Sequence, residues 1–273
     1  LEGFKKRNSS YLPIFLIVSL ITGTFTIAAV SFVSGALLTN IPLFSNFPPM
    51  DLSIMVLVVC GFILLIGKYK ALDRLSKVLV SILTILTFFA VISLAIKGSL
   101  NKDLITTFYK SETTPWRLSN LSFLIPLMGW MPCPVELCVW PSLWMFSKNK
   151  VSRYSPTVKE AEFDFNLGYL VTIVTAIFFV TLGAITMYGT GGGMLSGSGV
   201  VFAQNLIKLY TESIGEWSKW IIIPASFAAM FSTTLTCLDA YPRSISSIQG
   251  IIKGTDLGRM ESSLEQTRFQ NWM

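Results

Sequence analysis

The chain has 273 residues, of which 52% are hydrophobic and only 13% are charged, and its net charge is +6. A soluble domain carries about a quarter charged residues, so this composition argues against an ordinary soluble enzyme or a nucleic-acid-binding protein and indicates a polytopic membrane protein. Because the sequence contains no histidine, metal centres and proton relays built on imidazole are excluded from this chain.

Six apolar segments are predicted to span a membrane, which takes about 20 residues for a bilayer core of about 30 Å. None of them alternates with the period of a β-strand, so the predicted fold class is an all-α integral membrane protein. We expect one transmembrane domain over residues 1–273. The segments lie near residues 12–38, 52–67, 78–96, 119–146, 167–188 and 220–241.

The cationic residues assign an orientation to these segments. Fifteen of the twenty-one Lys and Arg fall in the loops and ends of one side, which is therefore predicted to be cytoplasmic. The expected location is a bacterial inner (plasma) membrane crossed several times. Leu1 is not an initiator and the chain after Arg243 is polar, so we expect a fragment of a longer protein. Residues 201–214 are predicted to form a short amphipathic helix lying on the membrane.

The fourth apolar segment, residues 119–146, is predicted to be a broken helix. Pro132 and Pro134 lie near its middle, where each removes a backbone donor and blocks the helical hydrogen bond behind it. A bilayer tolerates such a break only where the freed backbone is buried in protein or lines a cavity. Broken helices of this kind form the ion sites of secondary transporters.

Four residues around the break are candidate metal ligands. The Met128 carbonyl belongs to the last turn before the break, where unpaired carbonyls attract a cation. Met131 and Cys133 offer sulfur, which favours transition metals over Mg²⁺ or Ca²⁺, although a methionine also fills cores. Glu136 follows in the first turn of the second half. Its carboxylate is a candidate ligand, or else it caps that helix, and the sequence leaves both roles open.

Two other features of the sequence bear on its chemistry. Asp239 and Arg243 are four residues apart in the last segment, which predicts an ion pair if the helix continues through Pro242. Cys133 and Cys138 suggest thiol chemistry, but without a histidine such a nucleophile lacks its usual partner. We therefore expect no enzymatic activity and no resident cofactor.

The run Gly129-Trp130-Met131-Pro132, within this order of segments, resembles the Nramp family of divalent-metal transporters. The resemblance implies a LeuT-type fold of two inverted repeats, with the six segments standing for family helices three to eight. The family's sixth helix carries an Ala-x-x-Met-Pro-His core, in which the Met sulfur and the Ala carbonyl bind metal. Met131 and Pro132 match the Met-Pro, Met128 takes the Ala position and Cys133 takes the His position.

The chain departs from the family pattern in two ways. The first family helix, with its Asp-Pro-Gly-Asn metal ligands, is absent from this sequence, which is consistent with a fragment. The segment corresponding to the third helix lacks the acidic residues that serve protons in the family. Proton coupling is therefore left open: Glu136 substitutes for those residues, or the protein conducts without protons.

The sequence thus predicts a secondary transporter that moves divalent transition-metal ions, with Mn²⁺ or Fe²⁺ as cargo. A permease for amino acids or other organic substrates on the same fold is one alternative, although Glu136 already occupies the helix end that would receive a substrate carboxylate. A membrane scaffold without transport activity is the other. The sequence does not determine the oligomeric state.

Overall fold

The computed structural model describes residues 1–8, 10–66, 69–96, 118, 121, 124–125, 128, 135–145, 156–187 and 199–253. Within these ranges every regular element is a helix, as the apolar periodicity predicts. The longer helices are α1 (Glu2–Arg7), α2 (Tyr11–Leu38), α3 (Pro49–Ile66), α4 (Tyr69–Ile96), α5 (residues 140–145), α6 (Val158–Met187), α7 (Gly199–Ile214) and α8 (Lys219–Ile252). Short 3-10 turns lie at Pro42–Phe44, Val135–Cys138 and Glu216–Ser218.

Three stretches of helix are long and apolar enough to cross a membrane: Tyr11–Leu38, Val158–Ala184 and Glu216–Ile252. They correspond to the first, fifth and sixth predicted segments. The second and third segments are also helical, but their apolar parts, Pro49–Leu65 and Ser81–Ser93, are shorter than a full span. Much of the predicted fourth segment, including residues 129–134 at the proline break, lies outside the described residues, so a count of six spans stays a prediction, as does the LeuT-type fold.

The chain divides into two compact units. The first unit comprises Leu1–Ile27, Trp116–Thr157 and Thr236–Met273, and the second comprises Ala28–Pro115 and Val158–Leu235. Both α2 and α8 therefore contribute residues to each unit. The prediction of one transmembrane domain is not decided by this division.

The core of the second unit lies where α7 packs against α4 and α6. Its centre is formed by six buried residues: Ala90, Leu182, Ile207, Tyr210, Ile222 and Ile223. The Thr87 hydroxyl donates to the Leu83 carbonyl at 2.7 Å, so the Tyr210 hydroxyl, 2.6 Å away, donates to Thr87. Burial raises the pKa of Tyr210 to about 12.

This packing changes the interpretation of α7. The amphipathic pattern was expected to place the helix on a membrane surface, whereas its buried face, with Ala203, Ile207 and Tyr210, contacts protein. Leu206, Leu209 and Ile214 pack partly buried against the same core. An apolar stripe at helical spacing is satisfied equally by lipid or by neighbouring helices, so the sequence pattern could not distinguish the two.

The first unit joins the start of α2, the segment around α5 and the end of α8. Its apolar core contains residues from all three parts: Leu12, Phe15, Val139, Leu143, Ile248 and Ile251. The Lys5 ammonium donates to the Ile251 carbonyl at 2.9 Å, which satisfies one of the last carbonyls of α8. This core positions a group of buried polar side chains, described next.

Candidate functional site

The candidate site begins with the short turn that carries Glu136. Pro132 and Pro134 precede it in the sequence, and Val135–Cys138 is a 3-10 turn rather than an α-helix. The Val139 amide donates to the Glu136 carbonyl at 2.9 Å, and the Leu143 amide then donates to the Val139 carbonyl at 3.3 Å. The tight turn therefore leads into α5 at residue 140, and the Glu136 side chain is buried within the unit.

Glu136 is buried, with only 1% of its surface exposed. One carboxyl oxygen, Oε1, accepts a hydrogen bond from the Thr22 hydroxyl of α2. The other, Oε2, has no hydrogen-bond partner among the described residues. A buried carboxyl oxygen without a partner costs about 1–3 kcal/mol or more, so its retention in an apolar protein marks a candidate functional group.

The face of α2 that contacts Glu136 is made of small and hydroxylated residues. Ser19, Thr22, Gly23 and Thr26 follow one another at spacings of three and four, which places them on one side of the helix. Ser19 is fully buried and its hydroxyl has no partner among the described residues. The Thr22 hydroxyl also lies 2.8 Å from the Val18 carbonyl, and its single hydrogen can serve only one acceptor at a time.

Gly23 allows the aromatic ring of Tyr241 to lie directly against α2. A Cβ atom on Gly23 would stand 2.7 Å from Cδ1 of that ring, closer than real Cβ contacts come. The Tyr241 hydroxyl then donates to the Thr26 hydroxyl at 3.3 Å, and the ring is close enough to Glu136 for an electrostatic interaction. Tyr241 thus forms the α8 side of the cluster.

Trp140 and Trp144 on α5 complete the cluster. The Trp140 ring packs edge-on against Tyr241 with a centroid distance of 5.0 Å, and its indole Nε1 is buried with no acceptor among the described residues. The Trp144 indole donates to Asp239 Oδ2 at 3.1 Å. Asp239 in turn forms the predicted ion pair with Arg243 at 3.0 Å, since α8 continues through Pro242.

The four predicted metal ligands are only partly within the described residues. Met131 and Cys133 lie outside them. Met128 is helical, with 67% of its surface exposed, and its predicted role needs only its carbonyl oxygen. Glu136 does not cap its own turn, because its described hydrogen bond goes to Thr22. No three His, Cys, Asp or Glu side chains within the described ranges are grouped so as to hold a metal ion.

Sequence reasoning located Glu136 but missed the residues that surround it. The first apolar segment was noted for its lack of acidic residues, whereas the informative signal was its hydroxyls at helical spacing. The sequence also gives no sign that Tyr241 and Trp140 belong to this cluster. Their contacts join residues more than a hundred positions apart in the chain, which no local pattern reports.

The comparisons with known proteins leave the family open. No family model matches the chain, and no solved structure matches it. A protein of Pasteurella multocida (strain Pm70), described as an uncharacterized protein, is 36% identical over 263 residues. The match covers 96% of this chain and 58% of that relative, so the chain spans a little over half the length of the curated relative it matches.

Proposed function

We propose that the chain is part of a secondary transporter that moves divalent transition-metal ions, Mn²⁺ or Fe²⁺, across the cytoplasmic membrane. The metal is held at the proline break of residues 119–146. The Met131 and Cys133 sulfurs and the Met128 carbonyl face it, and Glu136 adds negative charge close by. The helices around the break rock against the rest of the protein to expose the metal to each side in turn.

The observation that supports this proposal is the buried Glu136 carboxyl with an uncommitted oxygen, five residues after Met131. An apolar protein gains nothing in stability from such a group, and a carboxylate deep in a membrane protein is by default a candidate for ion handling. The neighbouring sulfurs favour a transition metal over Mg²⁺ or Ca²⁺.

The proposal also requires ligands that this sequence does not contain. Two sulfurs and one carbonyl oxygen from one broken helix do not fill the coordination shell of Mn²⁺ or Fe²⁺. In the Nramp-like arrangement the remaining ligands come from a first helix with an Asp-Pro-Gly-Asn segment. The longer relative from P. multocida has room for such a helix outside the aligned region.

The test is Mn²⁺ uptake into proteoliposomes that contain the full-length protein. Met131→Ala should lower uptake on the order of 10-fold or more and weaken the preference for Mn²⁺ over Ca²⁺, because a soft ligand is lost. Met55→Ala, which removes an exposed methionine of α3, is the matched control and should leave uptake unchanged.

Two results would contradict the proposal. Unchanged uptake and unchanged selectivity in Met131→Ala would remove this residue from the site. Inhibition of Mn²⁺ uptake by amino acids, competing for the same site, would favour a permease for organic substrates instead.

A further inference from the structure

The polar face of α2 presents more than one uncommitted oxygen to the Glu136 region. Oε2 of Glu136 and the Ser19 hydroxyl are both buried without partners in the described part of the chain. Ser19 lies one turn before Thr22 on the same face of α2, and Thr22 is bonded to the other oxygen of Glu136. Ser19 and Thr22 therefore lie one turn apart on the face of α2 that Glu136 contacts, and Ser19 and Glu136 each have an oxygen without a partner among the described residues.

The chemistry of these groups is that of a hard cation site. Carboxylate and hydroxyl oxygens are the ligands that hard cations prefer, whereas the sulfurs of Met131 and Cys133 suit softer metals. A hydrogen-bond donor would need only one of these oxygens. A cation uses several at once, and it also supplies the positive charge that a buried carboxylate lacks.

The charge of the site favours a monovalent ion. Glu136 brings one negative charge, and Asp239, the other carboxylate that the structure describes in this cluster, is already bonded to Arg243 and Trp144. No ion pair to Glu136 occurs among the residues that the structure describes. A monovalent cation would neutralise Glu136, whereas a divalent one would leave a net positive charge in apolar surroundings.

We propose that Glu136, Thr22 and Ser19 form a second cation site, which takes one hard monovalent cation of the Na⁺ type. The site goes beyond the proposed metal transport while resting on it, since the monovalent cation would be the ion coupled to metal movement. Thr22 is a positioning residue: its hydroxyl holds Oε1 of Glu136 and leaves Oε2 free. The sulfurs and the Met128 carbonyl remain the place for the metal.

The experiment measures Na⁺ binding without any transition metal present. The full-length protein in detergent is heated while NaCl replaces choline chloride at constant ionic strength and pH. An ion that binds only the folded state raises the unfolding midpoint. A Na⁺ concentration ten times the dissociation constant should raise it by about 2–4 °C. Glu136→Gln and Thr22→Val should abolish most of this Na⁺-dependent shift.

Two further variants make the test specific. Ser19→Ala removes a hydroxyl that bonds to no described residue, so it should fold like the parent protein while its Na⁺-dependent shift falls to about half. Thr24→Val is the matched control on α2, because its exposed hydroxyl bonds to the Leu20 carbonyl at 2.9 Å. It should keep the full shift.

Several outcomes would overturn the second site. They are an unfolding midpoint of the parent protein that does not change with Na⁺, a full Na⁺-dependent shift in Glu136→Gln, or a loss of that shift in Thr24→Val as large as in Thr22→Val. Stabilisation by lowered pH with no response to Na⁺ would assign the cluster to a proton instead. An intact Na⁺-dependent shift together with normal Mn²⁺ uptake in Met131→Ala would rule out the proposed metal site but support the monovalent-cation site.

Discussion

The two units differ in how completely their buried polar groups are hydrogen-bonded. Among the described residues of the second unit, seven of the eight buried serine and threonine hydroxyls donate to a carbonyl three or four residues earlier in their own helix or turn, and Ser226 is the exception. In the first unit, three of the four buried serine and glutamate side chains have an atom with no partner among the described residues. These three are Ser19, Glu136 and Ser244.

This difference distinguishes polar groups that serve helix packing from polar groups that are available to bind a ligand. A hydroxyl that bonds to its own helix costs little in an apolar environment, and it lets helices approach closely. An unpartnered carboxyl or hydroxyl lowers stability, so a protein keeps it where it binds something. The second unit therefore behaves as a packed scaffold, and the first unit holds the candidate ion-binding groups.

The largest effect is expected from a steric clash introduced into the second unit. A Cβ atom on Gly35 would lie 2.5 Å from the Pro49 carbonyl oxygen and 2.8 Å from the Ser53 amide, and backbone atoms cannot move aside. Gly35→Ala should therefore destabilise the protein by about 3 kcal/mol, measured as a lower unfolding midpoint in detergent. Gly61→Ala is the control, since nothing lies within 4 Å of its Cβ, and it should be neutral or slightly stabilising.

A smaller loss is expected from breaking a satisfied polar pair of the second unit. Thr87→Val keeps the shape of the side chain but leaves the buried Tyr210 hydroxyl without its acceptor, which should cost about 2 kcal/mol in unfolding free energy. Tyr210→Phe removes that hydroxyl, so adding it to Thr87→Val should recover part of the loss. Equal midpoints for Thr87→Val and the parent protein would mean that this pair contributes nothing.

The smallest effect should have the opposite sign and belongs to the first unit. Glu136→Leu replaces an incompletely bonded carboxyl with an apolar side chain, so we expect about 1 kcal/mol of added stability together with loss of the Na⁺ response. Glu212→Leu, an exposed change on α7, should stay within about 0.5 kcal/mol. A clear loss of stability in Glu136→Leu would show that its carboxyl is structural, and the contrast between the units would fail.

Local features of the sequence predicted much of this structure. Apolar runs predicted the helices α2, α6 and α8, and the spacing of Asp239 and Arg243 predicted their ion pair. The predicted apolar segment ends at residue 241, just before Pro242, whereas α8 continues through that proline to Ile252. A proline only removes one hydrogen bond and can be accommodated when the rest of the helix is held by packing, as it is here through Ile248 and Ile251.

By itself, the sequence determined that the chain is helical and apolar, that Glu136 is costly where it stands, and that prolines precede it. These are properties of single residues and of neighbours within one turn. Only the tertiary structure decided that Thr22 meets Glu136, that Tyr241 rests on Gly23, and that α7 packs on protein. Such contacts join residues far apart in the chain, and they depend on which helix faces fit together, a choice that hydropathy and periodicity leave open.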